Sequence, residues 1–193
     1  MILVIDTSSA RSAVALLRPD GTVAAEEVHD SGPGFDLPAC FRALAKNQAL
    51  TKVAVAVGPG SFTGLRVGVS FGLGLAMGYE IPIVALKTLH LQAARSDDPV
   101  IAVAEAGRGR VYHLAPGAEP GLAEPGALPD NLPVVGWLRP STEAALLAAG
   151  LHLKPEQQLR TAGAAASLML ETASEVAYGS LRLEYMHGFS ARV

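Results

Sequence analysis

Apolar residues fall in short runs separated by turn signals. Residues 2–6 and 52–57 are nearly continuous apolar runs, the pattern of strands covered on both faces. Residues 12–18 and 22–28 flank Pro19-Asp20-Gly21 and predict a hairpin, because Pro presets φ and Gly tolerates positive φ. Asp36 is placed to cap a helix reaching about residue 47, with Leu37, Cys40, Phe41 and Leu44 on one face. Residues 82–86 predict a strand and 88–95 a short helix. Residues 99–104 and 110–115 predict two further strands about a turn at 107–109. Residues 116–133 hold five Pro and three Gly and predict irregular chain. A strand is expected at 133–135. A helix capped by Ser141 is expected over 141–149, and a longer one over 161–178, ended by Gly179.

Between the runs at 52–57 and 82–86, the loop Gly58-Pro59-Gly60-Ser61-Phe62-Thr63 leads into a predicted helix over 63–79. Gly64, Gly68, Gly72 and Ala76 recur every four residues and share one stripe; Ser70, Gly74 and Gly78 share a second. Each interior glycine costs about 1 kcal/mol relative to alanine. Their return is expected to be close approach of another backbone. The remaining positions are apolar nearly all round, so the helix is expected to be covered on more than one side. The predicted partner surface is Gly64, Gly68, Val69, Gly72, Leu75 and Ala76, with Phe41 from the preceding helix. Gly68→Leu is expected to break association and leave the fold intact.

The element order predicts an α/β protein in two lobes, residues 1–98 and 99–193, with the last helix folding back onto the first lobe. Half of the 193 residues are hydrophobic, enough for a sizeable core. The net charge of -3 speaks against a protein that grips nucleic acid by itself. One cysteine, Cys40, excludes an internal disulfide and fits a reducing compartment. The start lacks the basic region of a signal peptide, and the apolar run at 67–78 is too short to span a bilayer. A cytoplasmic protein without a membrane contact is the expectation.

The chemistry-bearing residues are sparse. Asp6-Thr7-Ser8-Ser9 ends the first strand, and Gly60, Ser61 and Thr63 stand where a helix N-terminus presents free N–H groups. Asp6, Thr7, Ser8, Gly60, Ser61 and Thr63 are therefore candidate anion or nucleotide contacts. A tight turn that aims the helix is the simpler alternative, since no Gly-Lys-Ser/Thr is present. His29, His90, His113, His152 and His187 include no pair at helical spacing, and no metal site is expected. Cys40 reads as core, and Ser61 lacks the Gly-x-Ser-x-Gly elbow of a nucleophile. No catalytic residue and no cofactor are assigned.

Two segments together carry a resemblance. Ile2-Leu3-Val4-Ile5-Asp6-Thr7-Ser8-Ser9, followed by Ser12-Ala13-Val14-Ala15-Leu16, resembles the opening of the TsaB (YeaZ) family. The run from Val55 through Gly58-Pro59-Gly60-Ser61-Phe62-Thr63-Gly64-Leu65-Arg66 to Gly68 is similar to that family's signature. The resemblance implies an actin-like, sugar-kinase-like (ASKHA) fold with a reduced second lobe. It implies a non-catalytic subunit in forming N6-threonylcarbamoyladenosine at position 37 of tRNA. Its implied partners are a TsaD-like catalytic subunit, a TsaE-like ATPase, itself as a homodimer when free, and tRNA only through the complex. The catalytic relative's His-x-x-x-His metal pair is lacking here. A small-molecule kinase or ATPase of the same fold is the alternative.

Overall fold

A computed structural model describes residues 1–184. β1 (Ile2–Asp6), β2 (Arg11–Leu17) and β3 (Val23–Asp30) form an antiparallel meander. α1 (Leu37–Leu44) follows, its first turn capped by the Asp36 carboxylate, which accepts from the Ala39 N–H at 2.9 Å. β4 (Lys52–Gly58) and β5 (Ile83–Lys87) lie parallel to β1, joined by α2 (Phe62–Tyr79). α3 (Thr88–Ala93) leads to the second sheet. That sheet contains β6 (Ile101–Gly107), β7 (Arg110–Leu114), β8 (Gly121–Ala123) and β9 (Val134–Val135), in the order β8-β7-β6-β9. α4 (Pro140–Ala148), α5 (Ala162–Leu170) and β10 (Glu175–Val176) complete the described chain. β10 pairs with β5, and the first sheet reads β10-β5-β4-β1-β2-β3.

The period of two along the strands divides the first sheet into two cores. Leu3, Ile5, Val14, Leu16, Val53 and Val55 face α1 and α2. Val4, Ala15, Leu17, Ala54, Val84 and Leu86 face the other way, toward α3 and α5, where Leu91, Ala165 and Ala166 meet them. Covering by helices on both sides is why β1 and β4 read as continuous apolar runs. α3 is shared between sheets: Leu89 packs with Ala102 and Ala104 of β6.

Three sequence expectations give way. The helix expected over 161–178 stops at Leu170. The chain beyond it adds an edge strand, Glu175 and Val176 pairing with Val84 and Ile83, and the Tyr178 hydroxyl donates to the carbonyls of Ala76 and Ile81. Sheet pairing and these contacts outweigh helix propensity there. α4 starts at Pro140 without a side-chain cap, because Pro at the first position needs no N–H partner; Ser141 lies inside the helix. The segment 116–133 is not wholly irregular, since β8 pairs with β7 through Leu122 and Tyr112.

Candidate functional site

The loop between β4 and α2 meets the β1–β2 turn. The Ser61 N–H donates to the Ser8 carbonyl at 2.7 Å, and the Thr7 hydroxyl donates to the Gly64 carbonyl at 2.7 Å. Ser61 also caps α2, its hydroxyl accepting from the Gly64 N–H at 3.3 Å. A Cβ at Gly60 would lie 2.3 Å from the Ser8 carbonyl oxygen, and one at Gly64 1.9 Å from that of Thr7. The glycines are thus there to let two backbones of the same chain touch.

Asp6, Thr7 and Ser8 are buried behind this contact, whereas Ser61 and Thr63 are exposed. One Asp6 carboxylate oxygen accepts from both the N–H and the hydroxyl of Ser8; the other is buried without a hydrogen-bond partner among the described residues. Burial pushes the Asp6 carboxyl above the ordinary carboxylate range, against the pull of the Ser8 hydrogen bonds and the Arg95 charge. The structure brings the six candidate anion contacts into one neighbourhood. It spends the Ser61 and Ser8 N–H groups inside the protein.

The arginine near Asp6 was not singled out by sequence reasoning. Arg95 is 1% exposed. Its guanidinium donates to the Gln92 side chain at 3.1 Å and to the Arg160 carbonyl at 3.2 Å, pairs with Glu156, and lies 4.5 Å from the Trp137 ring centre. Nearby, the Glu26 carboxylate takes the N–H groups of Ala162 and Gly163 at 2.9 and 3.2 Å, a cap on α5 supplied by a strand 136 residues earlier. Such long-range pairings leave no local sequence signal.

The predicted partner surface requires correction. None of Phe41, Gly64, Gly68, Val69, Gly72, Leu75 and Ala76 is exposed. The stripe of four lies against its own sheet: a Cβ at Gly68 would sit 2.3 Å from the Thr7 hydroxyl oxygen, and one at Gly72 2.3 Å from a Val55 methyl. Val69 and Leu75 pack at the margin of the same core, and Phe41 meets Phe71 edge-on at 5.6 Å. The face of α2 left unpacked by the described residues carries the second stripe. Ser70, Gly74 and Gly78 are exposed, and a Cβ at either of those glycines would meet nothing within 4 Å. Phe62, Val67, Met77 and Tyr79 border them at 52, 47, 54 and 56% exposure, and Arg66 caps the Phe62 ring at 3.7 Å.

Metal-ligating types also meet where none was expected: Glu27, His29 and Cys40 bring their donor atoms within 4.8 Å of one another. Among the described residues no helix is long and apolar enough to cross a membrane.

The order β3-β2-β1-β4-β5, helices on both faces and a smaller second sheet define a mixed α/β protein built on two sheets. A solved structure described as YeaZ from Pseudomonas aeruginosa shares this fold, with a TM-score of 0.73 over 96% of this chain and 99% of that one, at 20% identity. The family model described as TsaD, tRNA N6-adenosine threonylcarbamoyltransferase, matches residues 39–118. The tRNA threonylcarbamoyladenosine biosynthesis protein TsaB of Bacillus subtilis is 36% identical over 147 residues, which cover 71% of this chain and 64% of that protein. The Escherichia coli protein of the same name is 36% identical, covering 58% of this chain and 52% of its own length. A tRNA N6-adenosine threonylcarbamoyltransferase of Nitratidesulfovibrio vulgaris is 42% identical over 59 residues, 31% of this chain and 16% of the enzyme. The chain belongs to the TsaB family. It spans between half and two thirds of the length of these curated TsaB relatives.

Proposed function

We propose that this chain is a non-catalytic subunit of tRNA threonylcarbamoyladenosine formation, docking a TsaD-like catalytic subunit through the outer face of α2. The exposed stripe of Val67, Ser70, Gly74, Met77 and Gly78 carries this reading. Small residues there let a second helix approach closely, and the flanking apolar side chains supply area to bury. The likeness of a 59-residue stretch to a threonylcarbamoyltransferase supports a related chain as the partner, since related folds can present matching helices. The same face serves a second copy of this chain when the catalytic subunit is absent, so the free protein is a homodimer. A TsaE-like ATPase and tRNA join only in the assembled complex, in the cytoplasm.

The non-catalytic role is supported by the use of the Ser61 and Ser8 N–H groups within the protein, which removes donors a phosphate would need. A kinase or ATPase reading requires those donors and gains nothing from the exposed helix face.

Co-expression with a TsaD-like enzyme tests the proposal. The two chains are expected to co-elute, and modified adenosine is expected only when both are present. Modification of tRNA by this chain alone, or full activity of the enzyme without it, would overturn the reading.

A further inference from the structure

Glu27 and His29 stand two residues apart on β3 and so project from the same side of the sheet. α1 lies over that side and lowers Cys40 onto them; Cys40 is 7% exposed. The Glu27 Oε2 atom lies 2.9 Å from His29 Nε2 and 3.4 Å from Cys40 Sγ. The Phe35 ring, 5.4 Å from that of His29, borders the imidazole on another side. A tetrahedral zinc centre with Zn–N and Zn–O near 2.0 Å and Zn–S near 2.3 Å has ligand-to-ligand edges of roughly 3.3–3.6 Å. Two edges of the donor triangle lie at 2.9 and 3.4 Å, and all three donor atoms lie within 4.8 Å of one another.

We propose that Glu27, His29 and Cys40 form a surface site for a divalent transition metal, with Zn²⁺ the ion of best fit. The donor set argues for the ion. A thiol sulfur and an imidazole nitrogen favour zinc over magnesium or calcium, which take oxygen ligands. Three protein ligands leave a fourth position on the solvent side, where His29 and Glu27 are part-exposed, for water or a group from another molecule. On binding, the Cys40 thiol gives up its proton to solvent and the thiolate takes the metal. The ion then ties α1 to β3, an edge strand of the first sheet. The site is separate from the α2 face, so it stands or falls independently of the partner proposal.

The test uses the whole chain, stripped with a chelator and titrated with Zn²⁺ in competition with a chromophoric chelator. One metal per chain is expected, with affinity falling at least about tenfold in His29→Ala and in Cys40→Ser. Because His29 is exposed, the His29→Ala variant is expected to keep its fold, checked by circular dichroism. Substituting Co²⁺ should give a thiolate-to-metal charge-transfer band in the wild type that Cys40→Ser lacks. The absence of a stoichiometric site, equal affinity in wild type and His29→Ala, or a Co²⁺ complex without the thiolate band would each overturn the proposal.

Discussion

The inner and outer faces of α2 carry the same kinds of residue and meet opposite fates. On the inner face, added Cβ atoms at Gly64, Gly68 and Gly72 would lie 1.9, 2.3 and 2.3 Å from atoms of the β1–β2 turn or β4. On the outer face, Gly74 and Gly78 have open space. A glycine in a helix therefore has no single meaning. Inside, it sets the distance between helix and sheet, and its helix-propensity cost is offset by apolar burial. Outside, nothing among the described residues offsets that cost, and the proposed partner is what would.

The strongest break in the comparison is Gly72→Leu. The side chain has no room between α2 and Val55, so a loss of about 3 kcal/mol or more is expected, read as a lower urea midpoint or as failure to fold. The same reasoning reverses the expectation for Gly68→Leu: its first effect falls on the fold, through the clash with Thr7. An unchanged midpoint in either variant would contradict the inward packing of this stripe.

Next comes Met77→Glu combined with Val67→Glu on the outer face. Both side chains are exposed, so the monomer's stability should move by no more than about 0.5 kcal/mol. Association with the catalytic subunit is expected to weaken at least about tenfold, since two charges must be desolvated in an apolar contact. Size exclusion with the partner and analytical ultracentrifugation of the free chain check this; unchanged association would move the interface elsewhere.

A smaller effect sharpens the comparison from the other side. Gly74→Ala should stabilise the isolated chain by about 0.5–1 kcal/mol, because the added methyl meets nothing and the unfolded chain loses freedom. The melting temperature should rise by roughly 2–4 °C per kcal/mol for a chain of this size. If the outer face is a close helix contact, the same change weakens association.

A pH-dependent effect is expected from the buried carboxyl behind the loop. The Asp6 folded pKa lies above its ordinary 3.8, so the folded state holds that proton more tightly than the unfolded chain. Stability from this source is present below pH 3.8 and lost as pH rises through the folded pKa. Asp6→Asn keeps an oxygen for the Ser8 donors and removes this dependence. Its urea midpoint should gain on the wild type as pH rises; parallel profiles would remove Asp6 as the cause.

Much of the fold was legible in the chain. β1, β4 and α2 lie within a residue of their expected limits because each has one strong local cause: a continuous apolar run, or a capped helix after a Gly-Pro-Gly loop. The end of α5 was not legible, because the chain there satisfies an edge of the sheet and Tyr178 reaches back to Ala76 and Ile81. Arg95 and Glu26 were missed for the same reason: their partners lie dozens of residues away.

The sequence by itself determined most of the elements, the family and the existence of two small-residue stripes on α2. Only the tertiary structure decided which stripe faces inward. A helix that is apolar nearly all round has no strong moment to orient it, so β1, β4 and the Thr7 turn select the face by steric fit. The same packing of α1 on β3 assembled Glu27, His29 and Cys40, three residues whose spacing along the chain announces nothing.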